Sequence, residues 1–250
     1  MKPKFTLLLS LVVLASMILA ACGGAAPATE QPPSVTEPPG ATEPAATQPA
    51  AGEFSGTATI TFTQEPDNLN PMYTDMFFSG ILREFWLKPV WAFDENAQPV
   101  PVLAAEIPTL ENGGLSEDGR TVTITLRDDI TWSDGTPLTS EDFVFTYDMV
   151  MSDQNVPLSR FPYEGNVSSV EAPDPTTVVV NFNEPYPAWL TTIFYFVLPK
   201  HILQPVFDSE GTLDSAEWNR APTLGVGPFV FSEWESGSHI AFTANPNWIQ

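Results

Sequence analysis

Side chains commonly used in catalysis and metal binding are scarce in this sequence. Its 250 residues include 2 histidines, His201 and His239, and 1 cysteine, Cys22. Metal ligation and nucleophilic catalysis usually need several His, Cys or carboxylate groups held together. The histidines are 38 positions apart, and a single cysteine excludes both an intrachain disulfide and a Cys-rich zinc site. We therefore expect no metal, no cofactor and no catalytic residue.

Adjacent carboxylates are the remaining candidates for acid–base chemistry, at Asp128-Asp129 and at Glu141-Asp142. Together with 7 tryptophans, they would permit a secreted acidic hydrolase of the glycosidase type. Each pair also has a structural interpretation, the first in a turn and the second in the first turn of a helix. A hydrolase therefore stays an alternative, and the sequence favours a binding protein over an enzyme.

The charge balance narrows the choice of partner. The chain has 9 Lys and Arg residues against 31 Asp and Glu residues, a net charge of −22. Such a chain repels a phosphate backbone, which argues against nucleic-acid binding. Hydrophobic residues make up 43% of the chain, enough to form a buried core, and the length allows one or two domains.

The N-terminal residues have the pattern of a targeting segment. Residues 1–21 predict a secretory signal peptide, because Lys2 and Lys4 precede an uncharged apolar run. The run ends in Leu-Ala-Ala-Cys, which resembles the lipobox of bacterial lipoproteins. The resemblance implies that Cys22 is lipidated and becomes the new N-terminus. The protein would then be anchored to the membrane outside the cytoplasm, at the cell surface or in the periplasm.

A linker follows the cysteine. Residues 22–53 are rich in Pro, Thr and Ala and contain no aromatic residue, so they predict an extended tether. The folded part of the chain is expected at residues 54–250.

Hydrophobic periodicity predicts a mixed α+β or α/β fold. Helical spacing indicates helices at 75–86 and at 140–151, the second behind a capping box at Thr139 to Asp142. Residues 194–203 are apolar and are compatible with a helix or with a buried strand. Alternation and turn signals predict strands at 56–64, 90–93, 121–126, 167–172, 176–183, 229–234 and 239–243.

Three segments together resemble one known family. Residues 126–147, here called the signature segment, include Asp134-Gly135-Thr136-Pro137 and Glu141-Asp142-Phe143. This pattern resembles a motif of the family 5 extracellular solute-binding proteins, which serve ABC importers of peptides, dipeptides and nickel. Residues 198–203 and residues 225–229 resemble two further segments of that family, in the same order along the chain.

The resemblance implies a periplasmic-binding-protein-like type II clamp with two lobes. The match covers 57–250 and is similar to the first lobe with its β-rich subdomain. We therefore expect a partial solute-binding domain with the second lobe missing. The implied function is capture of a peptide or similar small solute by a monomer, followed by delivery to a permease and its ATPase. A solute sensor or adhesin with the same fold is a further alternative.

The resemblance also suggests binding residues. The loop after the first strand faces the cleft in this family, and two glycines in the third segment could let the backbone turn or approach a ligand closely. The predicted ligand-binding residues are Glu65, Asn68, Asn70, Tyr73, Thr74, Gly225 and Gly227. Most of the signature segment is interpreted as turns and helix caps, because Gly and Pro shape turns and carboxylates favour a helix start.

Overall fold

Short helices and antiparallel strands alternate along residues 56–248, the part of the chain that the computed structural model describes. The predicted signal peptide, Cys22 and the linker lie outside these residues. From Thr59 onward the chain forms one compact unit. The helices are α1 (Phe77–Trp86), α2 (Ser140–Met151), α3 (Trp189–Thr192) and α4 (Lys200–Glu210). The strands are β1 (Trp91–Phe93), β2 (Pro99–Pro101), β3 (Thr121–Thr125), β4 (Val167–Asp174), β5 (Thr177–Phe182), β6 (Phe229–Glu235) and β7 (His239–Ala244).

The central sheet has the strand order β3-β5-β4, with both neighbouring pairs antiparallel. Alternate side chains of β3 and β5 are completely buried, and they meet in register as Val122 with Val180 and Ile124 with Val178. Burial of each such side chain contributes about 1.5–3 kcal/mol, so this sheet face is a main source of stability. The alternation of apolar and polar residues was sufficient to predict these strands.

Helix α2 packs on this sheet and against α4. Its start is the predicted capping box: the Thr139 side chain accepts from the backbone of Asp142, and the Asp142 carboxylate accepts from the backbone N–H of Thr139 at 3.0 Å. The helix buries Phe143, Phe145 and Met149 against the core. The capping prediction is therefore confirmed.

Two small antiparallel hairpins complete the described architecture, β1-β2 and β6-β7. The hairpin at β6-β7 was predicted, while β2, α3 and a single 3-10 turn at Glu217–Asn219 were not. In the segment at 194–203, the chain runs as a loop to Pro199 that is buried except at Tyr195, and α4 then begins at Lys200. The sequence had left this choice open.

The predicted strand at 56–64 is wrong. Residues 56–64 form no strand, and no strand within the described residues pairs with them. Alternating side chains give a segment the pattern of a strand, but a strand also needs a partner to accept its backbone hydrogen bonds. Within the described part, no helix is both long and apolar enough to cross a membrane.

Candidate functional site

A groove lies between the loop that precedes α1 and the loop that precedes β4. It consists of two adjoining depressions of about 530 Å³ and 320 Å³. They share Pro71, Thr74, Asp75 and Tyr195. The larger depression extends along the first turns of α1, and the smaller one extends toward Leu158 and Phe161. Volumes of this size suit small ligands, so the groove is the candidate binding site.

The groove is edged by large apolar side chains that water can reach. Phe77 is 73% exposed, Phe161 59% and Leu158 55%, and Tyr195, which lines both depressions, is 39% exposed. Single exposed apolar residues are common on protein surfaces, but several around one groove indicate a surface that is covered when a ligand or partner binds.

The loop that forms one wall is fixed from beneath by Asn70. This residue is fully buried, its Nδ2 donates to the Asn219 Oδ1 at 2.8 Å, and its Oδ1 accepts from the Met72 N–H at 3.0 Å. The Asn68 side chain accepts from the backbone N–H of Asn70 at 2.8 Å. These contacts give Asn70 a structural part instead of the predicted ligand contact, because its amide is enclosed by the protein.

Thr74 is the predicted residue that does line the groove. Its hydroxyl donates to the Asp67 carboxylate at 2.6 Å and accepts from the backbone N–H of Met76 at 3.1 Å. The second bond satisfies one of the free N–H groups at the start of α1. Thr74 therefore connects the loop to the start of α1 at a position that lines both depressions.

Tyr73 and Glu65 do not line the groove. The Tyr73 hydroxyl is buried near Asp214 without a hydrogen-bond partner, and burial raises the pKa of this phenol. The Glu65 carboxylate accepts from the Trp234 indole N–H at 2.6 Å and from the Gly237 N–H at 3.1 Å. The Trp234 hydrogen bond is the main reason that the pKa of Glu65 is lowered. Glu65 therefore joins this loop to the β6-β7 hairpin.

The two predicted glycines make a close backbone approach, but to the chain itself. A Cβ atom on Gly225 would overlap the carbonyl oxygen of Trp86, and one on Gly227 would lie 2.8 Å from the carbonyl oxygen of Phe85. The Gly227 N–H donates to the Trp86 carbonyl at 2.9 Å. Both glycines are buried beneath the end of α1, so this geometry supports packing and not ligand contact.

The charged side chains around the groove differ in whether they have an ion-pair partner within the described residues. The Arg83 guanidinium lies 5.2 Å from the centre of the Tyr195 ring and 3.4 Å from a Glu84 carboxylate oxygen. Lys88 lies 3.9 Å from the same carboxylate group. Burial raises the pKa of the Tyr195 phenol, and the charge of nearby Arg83 opposes that shift. Asp75 is exposed and forms no ion pair within 4.0 Å among residues 56–248.

The signature segment does not line the groove, and it contains both buried and exposed residues. The Asp142 carboxylate is 4% exposed and also accepts from the Lys200 N–H at 2.9 Å and from the Trp132 indole at 3.4 Å. Burial raises its pKa, while these hydrogen bonds oppose the shift. Its neighbour Glu141 is exposed and pairs with the Lys200 ammonium at 2.6 Å. The structural interpretation of this segment agrees with the geometry.

Sequence reasoning missed Asp75, Phe77, Leu158 and Phe161 as groove residues. None belongs to a recognisable motif, and exposed aromatic residues in sequence look the same as core residues. No group of three or more His, Cys, Asp or Glu side chains within 56–248 is arranged to hold a metal ion.

Comparison with known proteins is consistent with this architecture. Residues 98–250 match the family model described as bacterial extracellular solute-binding proteins, family 5 Middle. Protein XP55 of Streptomyces lividans is 29% identical over 78% of this chain and 33% of its own length. The oligopeptide-binding protein AppA of Bacillus subtilis is 26% identical over 98% of this chain and 41% of its own length.

Solved structures show the same fold. AppA, determined in complex with a nonapeptide, has a TM-score of 0.60 and 27% identity over 74% of this chain and 35% of that one. NikZ of Campylobacter jejuni, in complex with Ni(L-His), has a TM-score of 0.61 and 29% identity over 74% and 34%. The mixed α/β, type II periplasmic-binding-protein-like fold is thus confirmed. The chain spans about a third to two fifths of the length of the relatives that it matches.

Proposed function

The chain belongs to the bacterial extracellular solute-binding proteins of family 5, and from this premise we propose that it is the substrate-binding component of an ABC importer. It would capture a peptide or a similar small solute outside the cytoplasm and deliver it to a membrane permease that is driven by an ATPase. The observation that carries this proposal is the groove, where exposed apolar side chains surround a space large enough for part of a peptide. The match to AppA supports a peptide as the solute.

Binding in such a groove would be driven by burial of apolar surface. A ligand side chain seated between Leu158 and Phe161 would remove both from water, at about 25 cal/mol for each Å² of apolar area covered. The backbone groups and hydroxyl of the loop at 70–75 would then orient the ligand. In the complete receptor, the solute would shift an equilibrium between open and closed arrangements of two lobes.

We further propose that the mature protein is a monomer anchored by a lipid on Cys22. Acyl chains contribute about 0.8 kcal/mol per buried methylene, and two or more chains give stable anchoring. The linker at 22–53 would hold the binding domain away from the membrane surface. Replacement of Cys22 by Ser should move the protein from the membrane fraction to the soluble fraction of cells, as detected by immunoblotting.

A matched pair of leucine variants tests the binding site. Leu158 and Leu110 are similarly exposed, at 55% and 60%, but only Leu158 lines the groove. Leu158→Gln keeps the side-chain volume and removes apolar contact, so it should weaken binding of a peptide about tenfold, which is about 1.4 kcal/mol. Leu110→Gln should leave the affinity unchanged. The measurement is isothermal titration calorimetry with a mixture of short peptides, followed by the individual peptides that bind.

The thermal midpoint of both variants should match that of the parent protein, because neither leucine is buried. Equal affinities for the two variants would place the binding site elsewhere. Failure of the parent protein to bind any peptide would remove peptide transport as the proposed function.

A further inference from the structure

Asp75 occupies the point where the two depressions of the groove meet, since it lines both of them. Its side chain is exposed, and within residues 56–248 no Lys, Arg or His lies within 4.0 Å of it. A carboxylate in this position adds a negative charge to a surface that is otherwise mostly apolar. It can therefore attract a cationic group of a bound solute.

The other charged groups of this region already have partners in the protein. Glu84 pairs with Arg83 at 3.4 Å and with Lys88 at 3.9 Å. The Asp67 carboxylate accepts from the Thr74 hydroxyl at 2.6 Å and more weakly from Ser79 at 3.4 Å. Among residues 56–248, Asp75 is thus the carboxylate lining the groove that has no ion pair.

The surroundings of Asp75 favour a cation that has apolar neighbours. Tyr195 lines both depressions together with Asp75, and the Arg83 guanidinium already lies 5.2 Å from the centre of its ring, so the ring contributes apolar surface to a ligand and not a further site for a cation. Phe77 lies on one side of Asp75 in the larger depression, and Phe161 lies in the smaller one. Apolar parts of a ligand can therefore be covered on both sides of its cation.

We propose that the solute is a short peptide with a basic side chain next to an aromatic or aliphatic one, and that Asp75 pairs with the basic group. The inference rests on the proposed function, because it assigns a substrate class to the same groove. The net charge of −22 acts in the same direction, since it raises the local concentration of cations near the protein. Asp75 becomes a specificity-determining residue, with the apolar rim supplying affinity for either kind of peptide.

A structural role for Asp75 makes a different prediction. The residue lies two positions before the first residue of α1, where a carboxylate favours the helix dipole. Loss of that effect would lower the thermal midpoint and weaken all ligands equally. Loss of a cation partner would leave the thermal midpoint almost unchanged and weaken basic peptides alone.

The test compares two tetrapeptides, Ala-Phe-Lys-Ala and Ala-Phe-Gln-Ala, which differ in one charge. Isothermal titration calorimetry is performed with the parent protein, with Asp75→Asn, and with Asp128→Asn as the control. Asp128 is also an exposed aspartate but does not line the groove. The parent protein and Asp128→Asn should prefer the lysine peptide by about tenfold, the range expected for a hydrogen bond to a charged group. Asp75→Asn should lose this preference and bind the glutamine peptide as the parent protein does.

The outcomes separate the inference from the function on which it rests. Equal affinity of the parent protein for both peptides would overturn the inference and leave peptide binding in place. Equal weakening of both peptides by Asp75→Asn, with a lower thermal midpoint, would assign Asp75 to the helix start and also overturn it. If the parent protein bound neither tetrapeptide but bound other short peptides, the inference would be overturned; if it bound no short peptide, the proposed function itself would be contradicted.

Discussion

The signature segment and the groove differ in how their polar and apolar groups are satisfied. In the signature segment, Asp142 is buried and accepts hydrogen bonds from Thr139, Lys200 and Trp132. In the groove, Asp75 is exposed without an ion pair within the described residues, and Phe77 is 73% exposed. In the first region, the buried carboxylate makes its hydrogen bonds within the protein. In the second, the carboxylate and the aromatic side chain face solvent and can contact another molecule.

This difference explains why the two regions look so unequal in the sequence. A buried carboxylate with several donors requires one residue type in one place, because its loss leaves the donors unsatisfied. Such a requirement produces a recognisable motif. An apolar rim can be built from Phe, Leu, Tyr or Met in many combinations, so it leaves no motif. A strong motif in this protein therefore marks the fold and not the binding surface.

The largest expected effect is on stability, at one of the two glycines that were predicted from the sequence to bind the ligand. Gly225→Ala would force its Cβ against the carbonyl oxygen of Trp86, so the free energy of unfolding should fall by about 3 kcal/mol or more. Gly80→Ala is the matched control, because a Cβ there meets nothing within 4 Å. It should stabilise α1 by about 0.5–1 kcal/mol, since Gly weakens a helix interior. Urea denaturation followed by circular dichroism measures both.

A stable Gly225→Ala variant with weakened peptide binding would reverse the assignment of this glycine from packing to ligand contact. It would also indicate that residues 225–229 take part in ligand binding although Gly225 is buried.

The next effect compares two neighbouring carboxylates of the signature segment. Asp142→Ala removes the capping box and leaves buried N–H groups without an acceptor, which should cost about 2–3 kcal/mol of stability. Glu141→Ala removes only an exposed ion pair with Lys200, so its change should stay below about 1 kcal/mol. Measurement of the free energy of unfolding of the two variants and of the parent protein gives the two losses of stability. Equal losses would mean that the surface pair contributes as much as the buried network to the stability of the start of α2.

A smaller effect separates two adjacent phenylalanines at the start of α1. Phe78 stacks on Phe62 with ring centres 4.9 Å apart, so Phe78→Ala should destabilise the protein by about 1 kcal/mol. Phe77 is exposed on the groove, so Phe77→Ala should change stability by less than about 0.5 kcal/mol. Differential scanning calorimetry resolves the two midpoints. If Phe77→Ala destabilised the protein as much as Phe78→Ala, the exposed rim would be part of the core after all.

The smallest effect is a pH dependence at Glu65. The Trp234 N–H lowers the pKa of this carboxyl below its ordinary value of 4.5, so the ionised form stabilises the fold. That contribution is fully present above pH 4.5 and is lost as the pH falls through the lower pKa of the folded state. The difference in melting temperature between the parent protein and Glu65→Gln should therefore be largest above pH 4.5 and disappear in more acidic solution.

Trp234→Phe provides the control for this measurement, because it removes the indole N–H and keeps an aromatic ring. In that background, Glu65→Gln should have less effect at every pH. A difference that grew toward acidic pH would contradict a lowered pKa of Glu65 in the folded state and would give Glu65 another partner.

Local sequence pattern predicted much of the fold. The alternation that placed Val122, Ile124, Val178 and Val180 on one face was sufficient for β3 and β5, and Thr139 with Asp142 predicted the start of α2. The pattern failed at 56–64, where alternation was present but no strand within the described residues pairs with it. Pairing is a property of two segments, so one segment cannot reveal it.

The candidate site was less predictable than the fold. Of the residues predicted in the loop at 65–74, Thr74 lines the groove, but Asn70 turns inward to Asn219, 149 positions away. Phe161 and Tyr195 reach the same groove from distant parts of the chain. Their shared location depends on how the loops are carried by the sheet and helices.

The sequence by itself determined the family, most helix and strand positions, and the acidic charge, because motifs, periodicity and composition are local properties. Only the tertiary structure decided which polar groups are satisfied internally and which face solvent. It enclosed Asn70 and Asp142, seated Gly225 against Trp86, and left Asp75 open beside an apolar rim. The physical reason is that burial and pairing depend on contacts between distant residues, and these contacts decide whether a side chain stabilises the fold or is free to bind a solute.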